Sequence, residues 1–482
     1  MVAAFAALVR LDPIPVAVAL ALSATMINTL PTELQQHILV AAVRPDWPWP
    51  ESSMELGDKL SMAPFRLCVI CRLWRDIVLN TPMIWQIVHF SGLLQFWRFD
   101  RAELVMKRAK ENTLQLVIDA SAGAEAERPD LLKMFHSLFE IHGNRWSRIH
   151  IIFPAVVGRL FVSSFFHSQV VLPNLEELVV LPTTGRRGKV SRITGVDIRT
   201  QALQLPSMPM LRRWEIHALP VAPEQIMRLS SLQFLSYNLR GTTETLLWKT
   251  LESCPNLVSL NIYFAAGPDQ WAQVTTQPIR PISLPKVTQL AIFGFWNDSD
   301  WLHYINLPMV QTLTVSVESC NYMQPLFTKL GVQIRHLTIT TIDGSTFSMI
   351  SDTDAAVLRD LERLETLELS DLPTTILLFG GQSFFRHLMD GTIRDVSAPA
   401  VRPVWVNSFT RLILRNCVLY LSSSRALANL VQSRREDADK GLGPELSFEI
   451  PGTRFSVDEQ TNDPEMERIK TILSSTSDFH GQ

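Results

Sequence analysis

The chain has 482 residues, 46% of them hydrophobic and 19% charged, with a formal net charge of −3. It is too long for one ordinary core and too apolar to be disordered, so about three units, or a small domain followed by an elongated array, are expected. The near-neutral balance argues against nucleic acid as a main partner, and five scattered cysteines (68, 71, 254, 320 and 417) argue against a secreted disulfide framework.

Residues 1–27 read as an apolar leader. Val16 to Leu22 is an unbroken apolar run after Pro13 and Pro15, far short of the ~20 residues a membrane-spanning helix requires. A signal-peptide core is the alternative, but Asp12 and the single, late Arg10 make a poor positive flank for one. No later run reaches spanning length, and no membrane partner is expected.

Residues 28–90 read as short helices interrupted by the Pro/Trp-rich stretch Pro45 to Pro50. Thr32 to Gln35 has the form of a capping box, with Thr32 at the N-cap and Gln35 three residues on. Leu34, Ile38, Ala41 and Ala42 then share one helical face, and Pro45 ends the helix near Arg44. A second helix is expected to start near Pro64. On it Leu67, Ile70, Cys71, Trp74, Ile77 and Val78 fall at helical spacing as an apolar stripe, with Arg66, Arg72 and Arg75 mostly off it. Asn80-Thr81-Pro82 ends that helix, and Met83 to Trp85 begins another short turn. Three short helices carry more apolar bulk than so small a core can hide, which invites a partner.

Two separated motif halves carry a resemblance. Leu30-Pro31-x-Glu33-Leu34 with Ile38-Leu39, then Val69-Ile-Cys71-Arg72-x-Trp74-Arg75-Asp76 and Thr81-Pro82-x-x-Trp85, resemble the F-box, in the version found in large fungal F-box families. The resemblance implies docking on a Skp-family adaptor, which bridges to a cullin and a RING subunit. By position it assigns Leu30, Pro31, Leu34, Ile38, Leu39, Leu67, Cys71, Trp74, Ile77, Pro82 and Trp85 to forming or supporting the adaptor-binding surface. The stretch Arg44 to Met62 departs from the family as an insertion between the first two helices. Glu111 to Asp119 and Arg145 to Ile151 sit where such proteins have their first strands before leucine-rich repeats.

From about residue 100 to 430 the texture changes to short β-like runs. A fragment φ-x-x-L-x-φ, with φ apolar, starts at Leu175, Leu211, Leu232, Leu257, Val287, Val310, Ile334, Leu364 and Phe409, with a plausible earlier copy at Trp146. Successive starts are 29, 36, 21, 25, 30, 23, 24, 30 and 45 residues apart, mostly the length of a leucine-rich repeat. Several copies open on a proline corner: Leu172-Pro173, Met208-Pro209, Cys254-Pro255, Leu284-Pro285 and Leu307-Pro308. One such strand with one helix cannot bury its own face, whereas stacked copies can. A mixed α/β domain with unrelated strands is the alternative. Residues 431–482 are richer in charge, with a short strand expected at Leu446 to Ile450, a helix at Glu465 to Leu473, and otherwise disorder.

Other signals are weak. Cys68-Val-Ile-Cys71 lacks the second pair or the βαβ setting that zinc or redox use needs, so Cys71 reads as a small core hydrophobe. Gly185 to Lys189 is basic but lacks phosphate-loop spacing, and Asp352, Asp354, Asp360 and Glu362 read as a solvated face. No H-E-x-x-H or G-x-S-x-G occurs, and no cofactor, metal or enzymatic role is expected. The expectation is therefore an α+β or α/β chain in which a three-helix F-box precedes an irregular leucine-rich-repeat solenoid. It would be a non-catalytic substrate receptor of a Skp–cullin–F-box ubiquitin ligase, cytoplasmic or nuclear, with an unknown protein substrate. An adaptor-bound scaffold working outside ubiquitination is the alternative.

Overall fold

The structure is a computed structural model. It describes residues 29–43, 54–91, 99–119, 137–154, 171–183, 207–216, 230–238, 244–263, 281–294, 304–316, 323–340, 361–372, 409–419, 421–441 and 444–455, with Arg468 and Thr471. The chain divides into two compact units, Met1–Ser231 and Leu232–Gln482.

Among its described residues the first unit has, in chain order, helices α1 (Thr32–Val43), α2 (Met54–Ile70) and α3 (Arg72–Asn80), then a 3-10 turn, Pro82–Trp85. Strand β1 (Ile87–Ser91) comes at once, then α4 (Phe99–Arg108), β2 (Leu114–Asp119), β3 (Trp146–Pro154), β4 (Glu177–Thr183) and β5 (Arg213–Ile216). The five strands pair in sequence order, all parallel. Their register puts Val88, Leu116, Ile149, Leu178 and Trp214 on one line, and all five are buried. Parallel neighbours require a crossover each time.

The second unit repeats this arrangement on a longer frame. Strands β6 (Phe234–Asn238), β7 (Ser259–Tyr263), β9 (Gln289–Phe293), β11 (Thr312–Ser316), β12 (His336–Thr340), β13 (Thr366–Ser370), β14 (Arg411–Arg415) and β16 (Ser447–Glu449) form a parallel series. The short pairs β8 (Ile282–Ser283) with β10 (Ile305–Asn306), and β15 (Val418–Leu419) with β17 (Arg454–Phe455), lie outside it. Three helices, α5 (Glu244–Glu252), α6 (Met323–Leu330) and α7 (Leu421–Asp439), complete the unit among the described residues. Register aligns Leu235, Leu260, Leu290, Leu313, Leu337, Leu367, Leu412 and Phe448 as one buried line. Each such side chain, removed from water, contributes about 1.5–3 kcal/mol.

All ten recurring fragments coincide with strands, so the periodic reading and the structure agree on this mixed α/β, parallel-stranded class. The proline corners become turns with proline at the second position. The amides of Leu175, Leu211, Leu257 and Val287 donate to the carbonyls of Leu172, Met208, Cys254 and Leu284 at 3.2–3.3 Å. At strand entry one carbonyl accepts two amides of the next strand. Gln233 accepts from Val258 and Ser259, Val258 from Thr288 and Gln289, and Arg335 from Glu365 and Thr366.

Four expectations need correction. Helix α2 starts at Met54 and carries Pro64 inside it, so part of the expected 44–62 insertion is helical. The stripe from Leu67 to Val78 is two helices broken at Cys71 rather than one. Strand β1, just after the Trp85 motif, joins the helical segment directly to the sheet and precedes the strand expected at 111–119. The charged run from Ser433 forms the second half of α7 rather than an irregular tail. The expected strand at Leu446 to Ile450 is β16, whereas Gly185 to Lys189, Asp352, Asp354, Asp360 and most of Glu465 to Leu473 lie outside the described residues.

Candidate functional site

Helix α1 buries Gln35, Leu39 and Val43, at intervals of four, exposes Leu34 and Ala41, and leaves Ile38 half-buried. Leu34 is 50% exposed while the polar Gln35 is 2% exposed. The inversion has a local cause. The Gln35 backbone amide bonds Pro31 O at 3.1 Å, and its side-chain Nε2 donates to Leu30 O at 2.7 Å. The expected capping box is therefore replaced by a glutamine that reaches back past the helix start and is held inside with it. Thr32 is exposed, within the helix and not at a cap.

The break at Cys71 sets the orientation of α3. Cys71 is extended, and its Sγ accepts the Trp74 amide at 3.4 Å as an N-cap. Arg75 ties the two helices together by donating from Nε to Cys68 O at 2.9 Å. Ala63 and Leu67 of α2 and Trp74, Ile77 and Val78 of α3 then point inward. Val69 is left 76% exposed and Leu73 39% exposed, on either side of the break. Burial raises the Cys68 thiol pKa, against the lowering effect of Arg108 and Arg75.

The Thr81-Pro82-x-x-Trp85 motif is a clamp on the end of α3. Thr81 Oγ1 donates to Ile77 O at 2.6 Å, and the Trp85 indole Nε1 donates to Val78 O at 2.8 Å. The Ile77 carbonyl of the last turn is thus bonded inside the protein, and the Val78 carbonyl, which also accepts the Thr81 amide at 3.3 Å, gains a second bond. Phe65 of α2 meets the Trp85 ring edge-on at 5.2 Å between centroids. From α4, Arg101 lies over Phe65 at 5.0 Å and Arg108 over Trp85 at 5.9 Å. Both arginines are half-buried, and cation–ring contacts in that range of exposure are worth about 0.5–2 kcal/mol.

The eleven residues assigned to the adaptor surface separate into two groups. Leu39, Leu67, Trp74, Ile77 and Trp85 are buried and hold the helices in place. Leu30, Ile38, Cys71 and Pro82 are half-buried, and Pro31 and Leu34 are exposed. Cys71 is a helix cap rather than the small core hydrophobe expected of it. Sequence reasoning missed Val69, Leu73 and Met83, the last 42% exposed. Val69 and Leu73 are four residues apart and fall off the apolar stripe, which was the available signal. Among the described residues no three His, Cys, Asp or Glu side chains converge as metal ligands, and no helix is long and apolar enough to cross a membrane.

Neither a protein-family model nor a curated protein matches the chain.

Proposed function

We propose that the chain is the substrate receptor of a Skp–cullin–F-box ubiquitin ligase, with the helices of residues 29–85 as its adaptor-docking end. The parallel-stranded remainder, read as an irregular leucine-rich-repeat solenoid, would hold a protein substrate. The observation that carries this reading is the apolar Leu34 left half exposed on α1, with Ile38 only half-buried beside it, while Gln35 takes a buried place with Leu39 and Val43. A helix whose only task is to cover a core leaves no large apolar side chain such as Leu34 half exposed beside a buried glutamine. The resemblance of the two motif halves supports the same reading, and Val69 and Leu73 add apolar side chains that a partner helix or groove can bury.

The test is co-expression of the full chain with a Skp-family adaptor, followed by affinity purification and identification of bound adaptor and cullin. The wild-type chain should retain both. Leu34→Asp combined with Ile38→Asp should lose them while the circular-dichroism spectrum stays unchanged. A folded wild-type chain that retains no adaptor would remove the proposal. Adaptor without cullin would point to a scaffold outside ubiquitination.

A further inference from the structure

We propose that His150 is a proton-sensitive weak point of the first unit: on acidification from about pH 7 to about pH 5 it takes up a proton, and strands β3 to β5 loosen while the second unit holds. This goes beyond the receptor reading and does not depend on it.

The strand register assembles the charges around the imidazole. His150 of β3 is in line with His89 of β1, Val117 of β2, Val179 of β4 and Glu215 of β5, on the side opposite the buried line of Leu116, Ile149 and Leu178. Arg148, Glu177 and Arg213 form the neighbouring line on the same side. Arg148 Nε lies 3.4 Å from Glu177 Oε2, and His150 Nε2 lies 3.8 Å from that same oxygen. Arg213 Nη2 donates to Glu215 Oε2 at 2.6 Å. Asp119, diagonal on β2, and His89 are the remaining titratable groups on this side of the described strands.

The cluster is balanced while His150 is neutral. Two guanidiniums, Arg148 and Arg213, stand with two carboxylates, Glu177 and Glu215. A proton on His150 adds a third cation, which has to share one carboxylate oxygen with Arg148. The His150 and Glu177 side chains are 15% and 12% exposed, so water screens the excess charge poorly. A buried charge without a carboxylate of its own is costly.

Burial accordingly lowers the His150 pKa from its ordinary 6.5, against the raising effect of Glu177. The unfolded chain takes up the proton near that ordinary value and the folded chain only below it. Stability is therefore complete above pH 6.5 and is lost as pH falls towards the folded value. Among the described strands of the second unit the one histidine is His336, which is exposed.

The test is hydrogen exchange of the full chain, read by mass spectrometry at about pH 7.5 and about pH 5.5, corrected for intrinsic rates, with β11 to β13 as the internal reference. Protection of β3 to β5 should fall by about tenfold on acidification of the wild-type chain. It should fall much less in His150→Gln and in His150→Val. Valine repeats the residues on either side in register, Val117 and Val179, and so suits the site if glutamine does not. His89→Gln should keep the wild-type fall. Unchanged protection in the wild-type chain, a fall that a folded His150 variant retains, its loss in His89→Gln, or an equal fall across β11 to β13 would overturn the proposal.

Discussion

The indole N–H of Trp85 donates to the carbonyl of Val78 at 2.8 Å, so a ring anchored in the turn after α3 closes the helix that precedes it. Trp85→Phe keeps an aromatic ring against Phe65 and removes this donor. The expected loss is ~1–2 kcal/mol, the cost of a buried carbonyl deprived of one bond. Urea unfolding monitored by circular dichroism measures it, and a change below about 0.5 kcal/mol would show that the bond adds nothing.

The helices of residues 29–85 depend on the neighbouring elements β1 and α4. Phe90 of β1 packs on Phe99 of α4 at 5.0 Å, and α4 supplies the arginines over Phe65 and Trp85. A fragment ending at residue 95 lacks α4 and should give a poorly dispersed amide spectrum. A fragment of residues 29–119, which contains α4 and the β1–β2 pair, should fold. Equal dispersion from both fragments would refute this dependence.

Two buried thiols set an alkaline limit. Burial pushes Cys254 up to about 12 and Cys417 up to about 11 from an ordinary value of 9.0. Both pKa values are raised on folding, so their contribution is complete below pH 9.0 and is lost as pH climbs towards 11–12, where only the unfolded chain has released the protons. Stability should therefore fall across that window, and Cys417→Ala should flatten part of the fall even though it removes buried volume. At about pH 8 iodoacetamide should label Cys68 and Cys71 before Cys254 and Cys417, because the thiolate is the reacting form and the first two are only half-buried. Peptide mapping by mass spectrometry reads the order.

Gly452 adopts a φ of +67°, and a Cβ placed there would collide with the Asn416 side chain. Asn416 is held by its Nδ2 bond to Asp371 Oδ1 at 3.1 Å and by its amide bond to Pro451 O at 2.9 Å. Gly452→Ala should cost at least ~1 kcal/mol from backbone strain alone, and more through displacement of Asn416. Gly441, also at +67° but with open space around it, should show the strain without the collision. The comparison of the two alanine variants by thermal unfolding separates the effects.

Much of the sheet was readable because one line of buried residues recurs at a fixed place in the fragment. Leu260, Leu290, Leu313 and Leu337 are the fourth letters of their fragments and are also register partners. Strand β1 was not readable, since Ile87 to Phe90 lacks the leading leucine and comes after the Trp85 turn without a break. The helices illustrate a different limit. Helical spacing identified the stripe Leu34, Ile38 and Ala41, but spacing does not say whether a stripe faces the core or a partner. Gln35 takes the inward place by bonding Leu30 O, a contact that no hydrophobicity pattern encodes. Cys71 likewise fitted an uninterrupted stripe, and only its extended backbone and its cap on Trp74 reveal the change of direction.

Strand entry in the second unit is fixed by carbonyls that each bond two amides of the next strand, whatever separates them along the chain. Leu290 meets Leu313 after 23 residues, and Leu367 meets Leu412 after 45, in the same register. Lengthening a flexible connection costs little, about 0.6 kcal/mol for each doubling. The frame thus tolerates insertions and deletions between one strand's end and the next turn, while an insertion inside a fragment would turn the rest of that one strand to the wrong side. Such a chain can vary the material around its sheet over generations without having to rediscover how to fold.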